Sequence, residues 1–187
     1  GRSGQTTGIN RVDRLDSTGL IASGFDELAG LSSGRVVEFV SNSTHVWVAS
    51  TFDGDSFYAT SILQGSILQN GSVRWEYGYN LLDDDVINSM LLDGEKMWVT
   101  TAGRGLYSID LAQRSYAPSA PALHGQMDGM ILDSDDGMLY VGLMGNQGSA
   151  AGFQTFDTST NSWGDGSLLA GLPNDIVQDF VALGDKI

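Results

Sequence analysis

Cysteine is absent from this 187-residue chain. That absence excludes disulfides, thiol nucleophiles and thiolate metal sites together. Proline occurs only three times, which leaves no stiff Pro-rich linker. Positive charge is scarce: nine Lys and Arg stand against 23 Asp and Glu, for a net charge of -14 and a pI near 4.1. Such a surface repels a phosphate backbone, so no nucleic-acid partner is expected. Long apolar runs are missing too. None approaches the roughly 20 residues of a helical membrane span, so no membrane insertion is expected. The opening "GRSGQTTGIN" has no apolar core of the kind a signal peptide carries.

What is abundant is glycine, at 25 residues, within a chain that is 41% hydrophobic. Many turns needing positive φ, with few linkers between them, point to many short strands. An acidic, lysine-poor surface suits extracellular or salty water and serves equally as a solubility device.

Internal similarity sets the architecture. Four stretches share one plan: "GLSSGRVVEFVSNSTHVWVAST" from Gly30, "NLLDDDVINSMLLDGEKMWVTT" from Asn80, "HGQMDGMILDSDDGMLYVGL" from His124 and "AGLPNDIVQDFVALGDKI" from Ala170. Each has a turn and an apolar strand. The first three then show a polar turn and a second strand carrying an aromatic. Trp47, Trp98 and Tyr140 are the matching aromatics, about 42 to 51 residues apart, the length of a four-stranded propeller blade. A glycine loop follows each, and then a strand pair. "SILQNGSVRWEY" places Asn70-Gly71 between its arms, a strong hairpin signal. "FQTFDTSTNSW" turns through Asp157 to Asn161.

The expected fold is therefore an all-β propeller of about four four-stranded blades, as a single domain or as a fragment of a longer propeller. Residues 1–29 would supply the outer strands of a split blade and residues 170–187 its inner strands. Residues 30–79, 80–123 and 124–169 would form the complete blades. Pairing of the two ends would hide edge strands. Two copies joining into a larger propeller is the alternative closure.

Gly171-Leu172-Pro173, Asp93-Gly94, Trp98, Thr101 and Gly105-Leu106 make the chain resemble the propeller repeats in sensor regions of two-component regulators, most closely over 80–110 and 170–187. The resemblance implies an extracellular, cell-surface or periplasmic recognition domain whose shared positions are structural. "LDSTG" and "FDTST" also resemble hairpins of quinone-dependent dehydrogenase propellers.

Catalytic signatures are sparse. No GxSxG elbow, P-loop or dinucleotide fingerprint is present. His45 and His124 fall in different parts of the repeat, against a histidine metal site. "DSDDG", Asp133 to Gly137, follows a calcium loop only in part and reads as a turn. No cofactor is implied.

Aligning the first strands makes Glu38, Asn88, Asp128 and Gln178 equivalent, polar residues in apolar strands that would face a central channel. Such a ring of acids and amides suits a cation, ordered water or a solvated channel mouth. Arg2, Asp53, Asp55 and Arg104 fall in loops of one face, where cations and carboxylates would meet a small-molecule, carbohydrate or protein ligand. Asn42-Ser43-Thr44 and Asn70-Gly71-Ser72 are N-glycosylation sequons. Three functions follow: a non-catalytic recognition or scaffold domain, a carbohydrate-active or hydrolytic propeller enzyme using Asp53 and Asp55, or a structural oligomerisation module.

Overall fold

The computed structural model describes residues 10–16, 19–24, 35–51, 60–69, 73–82, 86–119, 127–143, 152–164 and 177–181. Among these residues the secondary structure is entirely β, with a two-stranded hairpin and three four-stranded antiparallel sheets. The chain divides into two compact units, residues 1–84 and 85–187.

In the first unit, β1 (Asn10–Asp16) and β2 (Gly19–Gly24) form the hairpin, closed at Asp16↔Gly19. The four-stranded sheet of this unit runs in the order β3 (Arg35–Ser41), β4 (His45–Thr51), β5 (Thr60–Ile67), β6 (Val73–Leu82). The β3–β4 turn is held by Asn42, whose Oδ1 accepts hydrogen bonds from the Thr44 and His45 backbone N–H groups at 2.9 and 2.8 Å. This is an Asx turn, which gives a short polar side chain the role of a backbone carbonyl. Trp47, Val48, Ala49 and Ile62 are buried in the middle strands. β6 runs on to Leu82, so Asn80–Leu82 continue the outer strand of this sheet.

The second unit holds two sheets. The first is β7 (Ile87–Asp93), β8 (Lys96–Thr101), β9 (Gly105–Asp110), β10 (Ser115–Pro118), each paired with the next. The second is β11 (Met127–Asp133), β12 (Met138–Leu143), β13 (Gly152–Asp157), β14 (Ser162–Trp163), in the same up-and-down order. Turn chemistry sets the hairpins. Gly94 takes φ +59° directly after Asp93, and Gly105 takes φ +88° where the chain enters β9. These left-handed conformations are those that glycine adopts without a Cβ penalty. Thr101 Oγ1 bridges the β8–β9 loop, donating to the Gly105 carbonyl at 3.0 Å and accepting from the Arg104 N–H at 3.1 Å. Thr101 and Gly105 thus hold this loop together.

The two sheets of this unit pack through Trp98 on β8, Met127 on β11, Leu139 on β12 and Phe156 on β13, all with 1% exposure or less. Trp98 meets Phe156 edge to face at 5.4 Å, and Phe156 meets Trp163 at 4.9 Å. Burial of each large side chain contributes about 1.5–3 kcal/mol, and the aromatic geometry adds about 0.5–1.5 kcal/mol per pair. Trp98 is a packing residue.

Candidate functional site

The first strand of each four-stranded sheet carries a bulge at the same place. Trp47 pairs with Val40, Trp98 with Leu91 and Tyr140 with Ile131, which aligns the three ladders. Three residues before these partners stand Val37, Asn88 and Asp128, and the register shifts there in every sheet: between Val36 and Glu38, between Ile87 and Ser89, and between Met127 and Met130. Glu38 is therefore equivalent to Ser89, not to Asn88; the residue equivalent to Asn88 is Val37. A one-residue shift in a strand exchanges the side chains of its two faces, so this correction changes which group the repeat presents. It arises because matching polar with polar hid a valine at the bulge.

Within the second unit, the bulges stitch successive repeats together. Asn88 Nδ2 donates to the Met127 carbonyl at 2.5 Å, and Thr100 Oγ1 donates to the Asp128 carbonyl at 2.6 Å. On the other face of the second sheet, the Gly129 N–H donates to the Gln178 carbonyl at 3.0 Å. Residues 177–181 lie against Gly129 and Gly142. A Cβ on Gly129 would come within 2.9 Å of the Asp179 Cα, and one on Gly142 would meet the Val177 carbonyl oxygen. Phe180 stands edge to face on Phe153 at 6.2 Å, and Phe153 neighbours Tyr140 at 5.7 Å.

Asn88, Asp128 and Gln178 thus fall in one succession, with Asn88 and Asp128 half-buried and Gln178 exposed. Burial pushes the Asp128 carboxyl up from its ordinary range, and the nearby Asp179 carboxylate adds to the rise. Both causes disfavour the charged form. Arg104 is exposed in the β8–β9 turn. Arg2, Asp53, Asp55 and the sequon at Asn70 lie outside the described residues. In the "DSDDG" segment, Asp133 Oδ1 accepts from the Asp135 N–H and Asp136 Oδ1 from the Met138 N–H, so both carboxylates brace the turn.

Thr100, Asp179, Gly129 and Gly142 were not legible as parts of this region. The two glycines left one signal: a glycine inside a strand pattern marks a bulge or the close approach of another backbone. No protein-family model matches the chain, and no curated protein matches it.

Proposed function

We propose that the chain forms β-propeller blades and acts as a non-catalytic recognition domain, binding a small hydroxyl-rich or peptide ligand beside Asn88, Asp128 and Gln178. The supporting observation is the repeated bulge, which puts an amide and a carboxylate at the same place in the first strands of the second unit's two sheets. The Asn88 amide oxygen, the exposed Gln178 amide and one partly desolvated carboxyl supply both donors and acceptors, the mixture that hydroxyl and peptide groups need. In this reading the propeller is of about four blades, completed by its own ends or by a second copy, and works outside the cytoplasm as the sensing part of a larger protein.

Nuclear magnetic resonance titration with a neutral disaccharide and with triglycine tests the reading. Saturable shifts centred on Asn88, Asp128 and Gln178, with the probe recovered unchanged, are expected with one of them. Asp128→Ala should abolish those shifts while the amide signals of β8 stay in place. Absence of saturable shifts at these residues with both probes, or chemical conversion of either probe, would overturn it.

A further inference from the structure

Two successive junctions in the second unit are built on one pattern but carry different chemistry. At the first, the side chain at the bulge is Asn88, whose amide N–H₂ donates to the Met127 carbonyl. At the second, the bulge position is Asp128, and the chain that lies next to it is Val177–Val181. Gln178 aligns with Asp128 in the repeat, so Val177 stands where Met127 stands. The backbone agrees. The carbonyl of Asp128 accepts from the preceding sheet through Thr100 Oγ1, and the carbonyl of Gln178 accepts from its preceding sheet through the Gly129 N–H. Gly142, in the place of Thr100, lets the Val177 carbonyl come in close.

An amide can donate at any pH, whereas a carboxyl donates only while it keeps its proton. We propose that Asp128 is an acid-operated latch: protonated, it donates to the Val177 carbonyl as Asn88 does to Met127, and ionised, it releases residues 177–181 from the sheet. Ionisation removes the donor and also leaves a negative charge beside Asp179. Nothing else that titrates faces this carboxyl among the described residues of the packed elements. Around it, Asn88 of β7 reaches the Met127 carbonyl, Thr100 of β8 reaches the Asp128 carbonyl, Gly129 and Gly142 of β11 and β12 receive the docked segment, and that segment brings Asp179. The half-buried setting pushes the carboxyl upward and so moves the switch above the ordinary carboxylate range. The sign is fixed by this direction. A carboxyl with a raised folded value contributes to docking below its unfolded value, and that contribution is lost as pH rises through the folded value.

The latch rests on the likeness of the two junctions and on the docking of residues 177–181 against Gly129 and Gly142, and only its bearing on a ligand depends on the recognition reading, because release would carry Gln178 away from Asp128. Hydrogen exchange at the Gly129 amide, referenced to amides of β8, reads the latch directly. Its relative protection should fall roughly three- to tenfold between about pH 4 and about pH 7. Asp128→Asn should hold protection high and flat, while Asp179→Asn should lower the midpoint and keep the dependence. Flat protection in the unsubstituted protein would overturn the proposal. So would a profile flattened by Asp179→Asn alone, since like-charge repulsion would then be the whole cause. Should Asp128→Asn fail to fold, the carbon signals of the Asp128 carboxyl and the Val177 carbonyl must titrate together in the unsubstituted chain; separate behaviour counts against the latch. Probe binding is measured independently, so failure of the latch and failure of the recognition reading remain separate results.

Discussion

The Trp98 indole N–H donates to the Asp93 carboxylate across the β7–β8 turn at 3.3 Å. Trp47 occupies the same column of its own sheet, with 2% exposure, yet its Nε1 has no acceptor among the described residues. The residue five places earlier explains the difference. In the second unit it is Asp93, and in the first it is Asn42, whose single oxygen already accepts from Thr44 and His45.

Two substitutions test that account by urea denaturation. Asp93→Ala should lower stability by about 1–3 kcal/mol, because a buried donor loses its partner. Asn42→Asp adds a second acceptor oxygen near Trp47 and should raise stability by about 0.5–1.5 kcal/mol.

Phe156 is the shared member of two aromatic contacts in the inter-sheet core, and it is fully buried. Phe156→Ala should cost about 3–5 kcal/mol, since the surrounding sheets close the resulting void only in part. Thermal and urea unfolding both measure this loss.

Gly129→Ala and Gly142→Ala should act differently. The new methyl group would strike the Gln178 or Val177 carbonyl oxygen, not the Trp98 core. Each should release residues 177–181 and disperse the Phe180–Phe153 ring contact, seen as lost ring-current shifts, while β8 amides keep their protection.

Asp157 shows the opposite electrostatics to Asp128. Hydrogen bonds from the Ser159 hydroxyl and from the Thr160 and Ser159 backbone N–H groups lower its carboxyl to about 2. A depressed folded value means that its contribution is present above the unfolded value, near 3.9, and is lost as pH falls toward about 2. Direct carboxyl titration should find a midpoint near 2. Ser159→Ala should move that midpoint upward.

Hairpins were the legible part of the sequence, because turn residues and period-two alternation are local. The β7–β8–β9 path and the β13–β14 turn follow from Asp93-Gly94, Gly105 and the Asp157–Asn161 stretch. The alignment of the four polar residues expected to face a channel holds only in part. Asn88 and Asp128 occupy one bulge position, but Glu38 is displaced by a residue. A bulge adds one residue without altering composition, so register had to come from the pairing of Trp47, Trp98 and Tyr140. The docking role of Gly129 and Gly142 depends on residues 177–181, distant in sequence, and no local pattern announces it.

The bulge also bears on how such a chain can grow and diversify. Since the surplus residue sits inside each copied segment, a duplication carries its own register with it and needs no compensating change elsewhere. The position is then held by backbone geometry and not by side-chain chemistry. Valine, asparagine and aspartate stand there at 37, 88 and 128. One skeleton can thereby present an inert, a permanently donating or a proton-dependent group, and a single codon separates the last two.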